Sequence, residues 1–466
     1  MLQPVNRLPP EILSRVARHV LGQYDHDARP IFPLTCVCRY WRESIVSTPE
    51  NWTLISDSHE DVTALSLDRA KAAPLVIWLY ARWMRQESLI PEIITPHFQN
   101  AVTFAIHSIP TFGKFAKAFP SFPRSMPNLR SLKLEMDDEE EWDLSIDPFE
   151  SLSCTLRYLE LTKIPLYPSF LRLRALTKLT LSNHRFSLHL NTLLDFLEAN
   201  VSLENVELSI GFAKPSLRNS RRRAAIRNRL LYLSITFNDA MDARALITKI
   251  PLRKGAHLDI FSIGDGTGLK DILSDISTTH FPNLPSPTFM EYQSFMKCVR
   301  LHGPNGIFSF SRHHPTAQPF ADLTEFPLIA LTNVREFRIT NFDRMGFPLP
   351  SLPALETLVI QTYMDLSGII SALLSNPASS PSLKTIALLN CYLTEDFMKE
   401  LTRFASIRKN TSTSAWLHRV LIVHWEGQFP STGSIQRLRS YVTVVDVRMG
   451  DSELLADSDI ERYLAG

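Results

Sequence analysis

Several things are missing or scarce in this sequence, and each absence narrows the field. Glycine supplies only 15 of 466 residues, while proline supplies 31. Many connections are therefore expected to be stiff and punctuated by proline. The five cysteines, Cys36, Cys38, Cys154, Cys298 and Cys391, are odd in number and scattered. That argues against a disulfide framework and for free, mostly packed thiols in a reducing compartment. Charge of one sign is absent as well: 49 basic residues against 48 acidic ones leave a formal net charge of +1. No whole-chain field is available to attract nucleic acid or an acidic membrane. MLQPVNRLPPEI opens with prolines and polar residues and lacks the pattern of a signal peptide. Nor is there an apolar run of about 18 residues of the kind that spans a bilayer. These absences lead to the expectation of a soluble protein, cytoplasmic and/or nuclear, with no membrane and no nucleic-acid partner.

What is present is apolar. A hydrophobic content of 44% over this length is enough for a large core, arranged as more than one unit or as one long array. The densest stretch runs from Arg7 to Trp52. Leu8-Pro9-Pro10-Glu11 is a good helix start, because proline fits the first turn and a glutamate there complements the helix dipole. Ile12, Leu13, Val16, Ala17 and Val20 recur at helical spacing. Residues 23–29 are polar and turn-like. Ile31, Phe32, Leu34 and Val37 form a second apolar segment, continued by Tyr40, Trp41, Ile45 and Val46 until Pro49 stops the helix. Three short helices cannot bury so many large side chains by themselves. The rest of the chain or a partner must cover some of them.

LPPEIL, VCRYWR and TPENW, in this order, resemble an F-box, the adaptor-binding module of Skp–cullin–F-box ubiquitin ligases. Leu8, Pro9, Glu11, Ile12, Leu13, Val37, Cys38, Trp41 and Trp52 fall on the family pattern, which covers roughly a tenth of the chain; GQYDHDARPIF departs from it. The resemblance implies a Skp-type adaptor as partner, and through it a cullin ligase. It implies adaptor contacts from Leu8, Pro9, Ile12, Leu13, Val37, Cys38, Trp41 and Trp52. The succession from TPENW to LDRAKAAPL is similar in style to the F-box proteins of mushroom-forming fungi. The alternative is a helical cap on the array with an accidental match.

Residues 62–73 read as a helix handing over to a strand, LVIWLY, at Leu75 to Tyr80. After that a unit of the form Leu-x-x-Leu-x-Leu recurs, with apolar substitutions. It appears first as Ala101-Phe104-Ile106, then as Leu129-Leu132-Leu134, Leu156-Leu159-Leu161, Leu176-Leu179-Leu181, Leu203-Val206-Leu208 and Leu230-Leu233-Ile235. Leu258-Phe261-Ile263, Met296-Val299-Leu301 and Val334-Phe337-Ile339 follow. Leu355-Leu358-Ile360, Leu383-Ile386-Leu388, Leu417-Val420-Ile422 and Val442-Val445-Val447 complete the set. Most of the spacings fall in or near the leucine-rich-repeat range. The fullest unit is SLKTIALLNCYL, where Cys391 stands at the Asn/Cys position, followed by an amphipathic helix in TEDFMKELTRFA. It resembles the leucine-rich repeats of F-box proteins. The expected fold is α/β: a three-helix F-box over residues 1–55, a connecting helix and strand over 56–100, a leucine-rich-repeat solenoid with a curved parallel sheet over 101–450, and a tail over 451–466.

In this phase the apolar triplets face the core and the residues between them face the open, concave side. That side carries Lys133, Glu135, Tyr158, Glu160, Lys178 and Tyr232 early on, then Glu336 and Arg338. It turns apolar at Val359, Ala387, Leu389, Leu421 and Val423. An exposed apolar strip marks a contact surface. Tyr158, Tyr232, Arg338, Val359, Leu389, Leu421 and Val423 are therefore the candidate target-binding residues for an as yet unknown target protein. Two other readings stay open: the tail folds back over the strip, or these strands are buried on both faces.

Other features carry less. The basic run from Arg218 to Arg229 reads as solvated surface or as a localisation signal or phosphate patch. GDGTG at 264–268 lacks the spacing of a nucleotide cradle and reads as a repeat turn. Cys36-x-Cys38 lacks zinc spacing, and His313-His314 has no carboxylate at ligand spacing. No catalytic residue, metal or cofactor is expected. The reading is a substrate-recognition subunit that is not an enzyme. The alternatives are a leucine-rich-repeat scaffold without ligase function and, distantly, an enzyme using the GDGTG loop.

Overall fold

The computed structural model describes residues 8–23, 28–57, 59–80, 93–109, 126–137, 155–188, 190–212, 230–237, 239–250, 252–263, 287–293, 298–304, 306–312, 331–340, 350–362, 366–411, 414–424, 430–449 and Leu464. The chain divides into two compact units, Met1–Arg229 and Leu230–Gly466, a division that falls inside the stretch expected to be one array. Each is α/β and is built on a mostly parallel sheet. No described helix is long and apolar enough to cross a membrane.

The first unit opens with three helices, α1 (Pro10–Gln23), α2 (Ile31–Thr35) and α3 (Arg39–Val46), and a 3-10 turn at Pro49–Trp52. Strand β1 (Leu54–Ser56) follows, then α4 (Glu60–Ala70) and β2 (Leu75–Tyr80), which pairs in parallel with β1. Strands β3 (Ala101–Ile109), β4 (Ser131–Met136), β5 (Tyr158–Thr162), β6 (Lys178–Leu188) and β7 (Asn205–Phe212) extend this sheet in sequence order, every neighbour parallel; α5 (Leu190–Ala199) lies between the last two. Alternation decides which way each side chain faces. Leu132, Leu134, Leu159, Leu161, Leu179, Leu181, Val206 and Leu208 are buried as the apolar triplets require.

The second unit contains β8 (Tyr232–Phe237), α6 (Ala240–Ile247), β9 (His257–Ser262), β10 (Phe289–Gln293), β11 (Cys298–Gly303) and β12 (Gly306–Arg312). It continues with β13 (Glu336–Thr340), β14 (Thr357–Gln361), α7 (Ser367–Ser375), β15 (Thr385–Leu389) and α8 (Glu395–Asn410). It ends with β16 (Arg419–His424), α9 (Thr432–Arg439) and β17 (Val444–Met449). Neighbours run in the order β8, β9, β12, β11, β10, β13, then β14 to β17.

Two of the expected repeat units differ in the structure. The Met296-Val299-Leu301 unit does not continue the parallel array. Its strand, β11, runs antiparallel to both β10 and β12, so the chain doubles back through a three-stranded meander before β13. The Leu258-Phe261-Ile263 unit does not share one face: Leu258 and Ile260 are buried in the core, and Phe261 alternates to the opposite side. An odd shift of the frame along a strand exchanges its two faces.

The expected helix start before Phe397 is present. Thr394 caps α8, its side chain accepting from the Phe397 backbone N–H at 3.1 Å, with Glu395 and Asp396 in the first turn. No disulfide joins the described cysteines: Cys298 and Cys391 are buried, Cys38 is partly covered and Cys36 is exposed. Burial pushes the Cys391 thiol up to about 12.

Candidate functional site

The head separates its apolar residues into two sets. One set closes its interior. Leu13, Ala17, Ile31, Trp41, Ile45 and Trp52 are buried. Polar groups among them are paired, as burial requires. Ser14 donates to Asn51 Oδ1 at 2.8 Å, and the Asn51 amide and Trp52 Nε1 both donate to the Ile45 carbonyl, at 3.3 and 3.0 Å. Tyr40 donates to the Leu8 carbonyl at 2.8 Å and fixes the approach to α1. Cys38 caps α3, its sulfur accepting from the Trp41 N–H at 3.5 Å. The Arg69 guanidinium of α4 lies 4.3 Å above the Trp52 ring. The other set looks outward: Ile12 is 38% exposed and Val37 52%, Pro9 is exposed, and Leu8 and Cys38 are partly so. Of the eight residues expected to touch an adaptor, Leu13, Trp41 and Trp52 hold the head together from inside, while Pro9, Ile12 and Val37 are on its surface.

On the first unit's sheet, the face opposite the core carries interlocked charges and rings. The pairing puts Trp78, Ala105, Lys133, Glu160, Thr180 and Glu207 in one row across β2 to β7. Lys133 pairs with Glu160 at 3.1 Å and Lys178 with Glu207 at 3.0 Å. Both ammonium groups lie over the Tyr158 ring, at 5.1 and 5.3 Å. Trp78 stacks on His107 at 4.5 Å, and His107 Nδ1 is 2.5 Å from Glu135. Tyr158 also donates to Glu160, and burial together with that carboxylate pushes its hydroxyl up. The charges of this face are therefore largely neutralised within it.

In the second unit a row runs Ser234, Asp259, Ser309, Arg300, Glu291 and Arg338 across β8, β9, β12, β11, β10 and β13. Tyr232 donates to Asp259 Oδ2 at 2.7 Å, and His257 Nε2 is 2.9 Å from its other oxygen. Burial alone would raise the Asp259 carboxyl; hydrogen bonds from His257, Ser309 and Tyr232 outweigh it and hold the group below its ordinary range. Burial pulls His302 down. Arg338 is buried, donates to Glu336 at 2.6 Å and lies over the Phe289 ring at 4.8 Å.

From β14 the same row continues into Val359, Ala387 and Leu421, flanked by Leu389 and Val423. These five side chains form one cluster, each at most 1% exposed, and Leu464 packs against it. The strip expected to be open is therefore covered, and the described residue that reaches it belongs to the tail. Arg419 Nη1 donates to the Leu464 carbonyl at 2.8 Å, and its other terminal nitrogen is 3.5 Å from Asp446, which also pairs with Arg448 at 2.5 Å. Of the expected target-binding residues, Val359, Leu389, Leu421 and Val423 share this one place, Arg338 lies one strand away, Tyr232 sits on the polar part of the same sheet, and Tyr158 belongs to the first unit. The run from Arg218 to Arg229, GDGTG at 264–268 and His313-His314 lie outside the described residues.

Sequence reasoning did not single out the Trp78–His107 stack or Arg419. The signal for Trp78 was its place in LVIWLY, alternating with the buried Leu75, Ile77 and Leu79.

Fold and surfaces together define an α/β protein with mostly parallel sheet strands and a helical head. No family model matches the chain, and no curated protein matches it.

Proposed function

We propose that the chain is the substrate-recognition subunit of a Skp–cullin–F-box E3 ubiquitin ligase, with residues 8–52 acting as the F-box and the sheets as a leucine-rich-repeat solenoid that holds a target protein. The observation that carries this reading is the divided head. Its core is complete, yet Pro9, Ile12 and Val37 remain outside it as an apolar surface. Such a surface on an otherwise finished helical bundle suits a partner's helices. On this reading the chain needs no catalytic residue or cofactor. It works by proximity, raising the effective concentration of a target beside enzymes that carry the ubiquitin chemistry.

Co-expression with a Skp-type adaptor tests it. The intact chain is expected to retain the adaptor through purification. Burying a valine side chain contributes about 1.5–3 kcal/mol, so Val37→Asp is expected to weaken capture by roughly tenfold or more while leaving the unfolding temperature nearly unchanged. Leu13→Asp is expected to lose both capture and the folded head, because Leu13 is interior. Undiminished capture by a Val37→Asp, Ile12→Asp double variant would sink the reading and leave a leucine-rich-repeat scaffold as the alternative.

A further inference from the structure

The apolar strip of the second unit breaks the character of its own sheet face. The row leading up to it carries Asp259, Ser309, Arg300, Glu291 and Arg338, and the row then turns to Val359, Ala387 and Leu421. Five apolar side chains on the face away from the core need a cover. Here the cover includes Leu464, a residue from beyond the last strand of the sheet. The contact has two parts. The leucine side chain fills an apolar seat, and Arg419 takes the Leu464 carbonyl oxygen at 2.8 Å. The second part reads main chain, which any peptide supplies; the first reads one apolar side chain. Charge points the same way. The segment 451–466 carries Asp451, Glu453, Asp457, Asp459 and Glu461 against Arg462 alone, and the strip ends at Arg419 and Arg448 with Asp446 paired to both, two cations against one anion.

We propose that this strip is a docking groove for a leucine-bearing acidic peptide segment, that the segment around Leu464 is its resident occupant, and that a target segment of the same chemistry displaces it. The inference rests on the sheet face holding a target and makes no use of the adaptor, so the test below and adaptor capture fail independently. Because the occupant is tethered, it competes at an effective concentration on the order of millimolar. The groove is then closed to weak ligands and open to a segment that binds better or to a chain whose own segment has been released.

The test uses the full chain and a fluorescein-labelled peptide with the sequence of residues 451–466, read by anisotropy. The parent chain is expected to bind the peptide weakly. The Leu464→Asp chain is expected to bind it at least tenfold more tightly, and adding Arg419→Met to that chain is expected to remove most of the gain. A peptide carrying Leu464→Asp is expected to bind neither. Should the aspartate chain lose cooperative unfolding, Leu464→Ala replaces it with the same expected order. Equal binding to parent and released chains, or no binding to a released chain that unfolds cooperatively, overturns the proposal and makes Leu464 a fixed part of the core.

Discussion

Arg408 is fully buried near the end of α8, and it acts as a hub for main-chain oxygens. Its guanidinium donates to the carbonyls of Ala415 at 3.1 Å, Ser380 at 3.0 Å, and Pro381 and Leu383 at 2.9 Å, and it lies 5.5 Å over the Phe404 ring. One side chain thus ties the segments before β15 and before β16 to the helix between them. The rigid fork of arginine suits this geometry better than a lysine ammonium does. Replacing it strands several buried acceptors, each costly to leave unmade. Arg408→Met is expected to lower stability by on the order of 3 kcal/mol in denaturant titration, with Arg408→Lys recovering only part of the loss.

Asp57 is a different kind of residue. Its carboxylate accepts from the Tyr80 N–H at 3.0 and 2.9 Å, but burial outweighs that bond and pushes the group up to about 6. The folded chain therefore holds the proton more tightly than the unfolded chain. The contribution of Asp57 to stability is greatest below the ordinary carboxylate range and falls as pH rises to about 6. Asp57→Asn keeps an acceptor for Tyr80 and removes the charge. It is expected to raise the unfolding midpoint at pH 7.5 and to change it little at pH 4.

Among the elements, α8 shows local rules and tertiary structure in agreement. Thr394 satisfies the Phe397 N–H at the start, and Phe397, Met398, Leu401 and Phe404 are buried along one stripe. Glu395 adds a link to α9 by accepting from Ser434 Oγ at 2.6 Å and from the Ser431 N–H at 3.2 Å. Thr394→Ala is expected to cost about 1 kcal/mol by equilibrium unfolding.

Such an element was readable in the sequence because its signals are local. The strands of the first unit were readable for the same reason, since period-two alternation on Leu132, Leu134, Leu159 and Leu161 marks a half-buried strand. The misframed β9 shows where this stops. HLDIFSI offers apolar residues in both phases, and the decision comes from its neighbours, Leu258 lying beside Leu233 and Phe308. The meander was invisible because alternation reads the same in both chain directions. At the candidate surfaces the residues were legible but their facing was not. Ile12 and Leu13 are adjacent in sequence, yet only helix packing puts one outside and the other within. Leu464 is one apolar residue among several in its segment, and only the fold singles it out.

In the molecule as a whole, the head of the first unit is fastened to its sheet. Trp52 is covered by Arg69 of α4, and β1, two residues further on, pairs with β2 through Leu54–Val76, Ile55–Ile77 and Ser56–Trp78. An expected boundary at residue 55 therefore cuts through a strand. A chain starting at Glu60 would leave the edge of β2 bare, and an unpaired apolar edge invites intermolecular pairing. Such a truncation is expected to aggregate during size-exclusion chromatography, whereas Val37→Asp in the full chain is expected to elute as the parent does.

The doubled-back meander of the second unit also sets a timetable for synthesis on the ribosome. A sheet whose neighbours follow one another in sequence can grow as it emerges, each new strand finding its partner waiting. Strand β9 finds β8 waiting on one side, but the partner of its other edge is β12, which ends at Arg312 while β9 ends at Ser262. At about 5–20 residues per second the free edge of β9 waits roughly 2–10 s before its partner is made. In the nascent chain that interval is when a holding chaperone would have the most to protect.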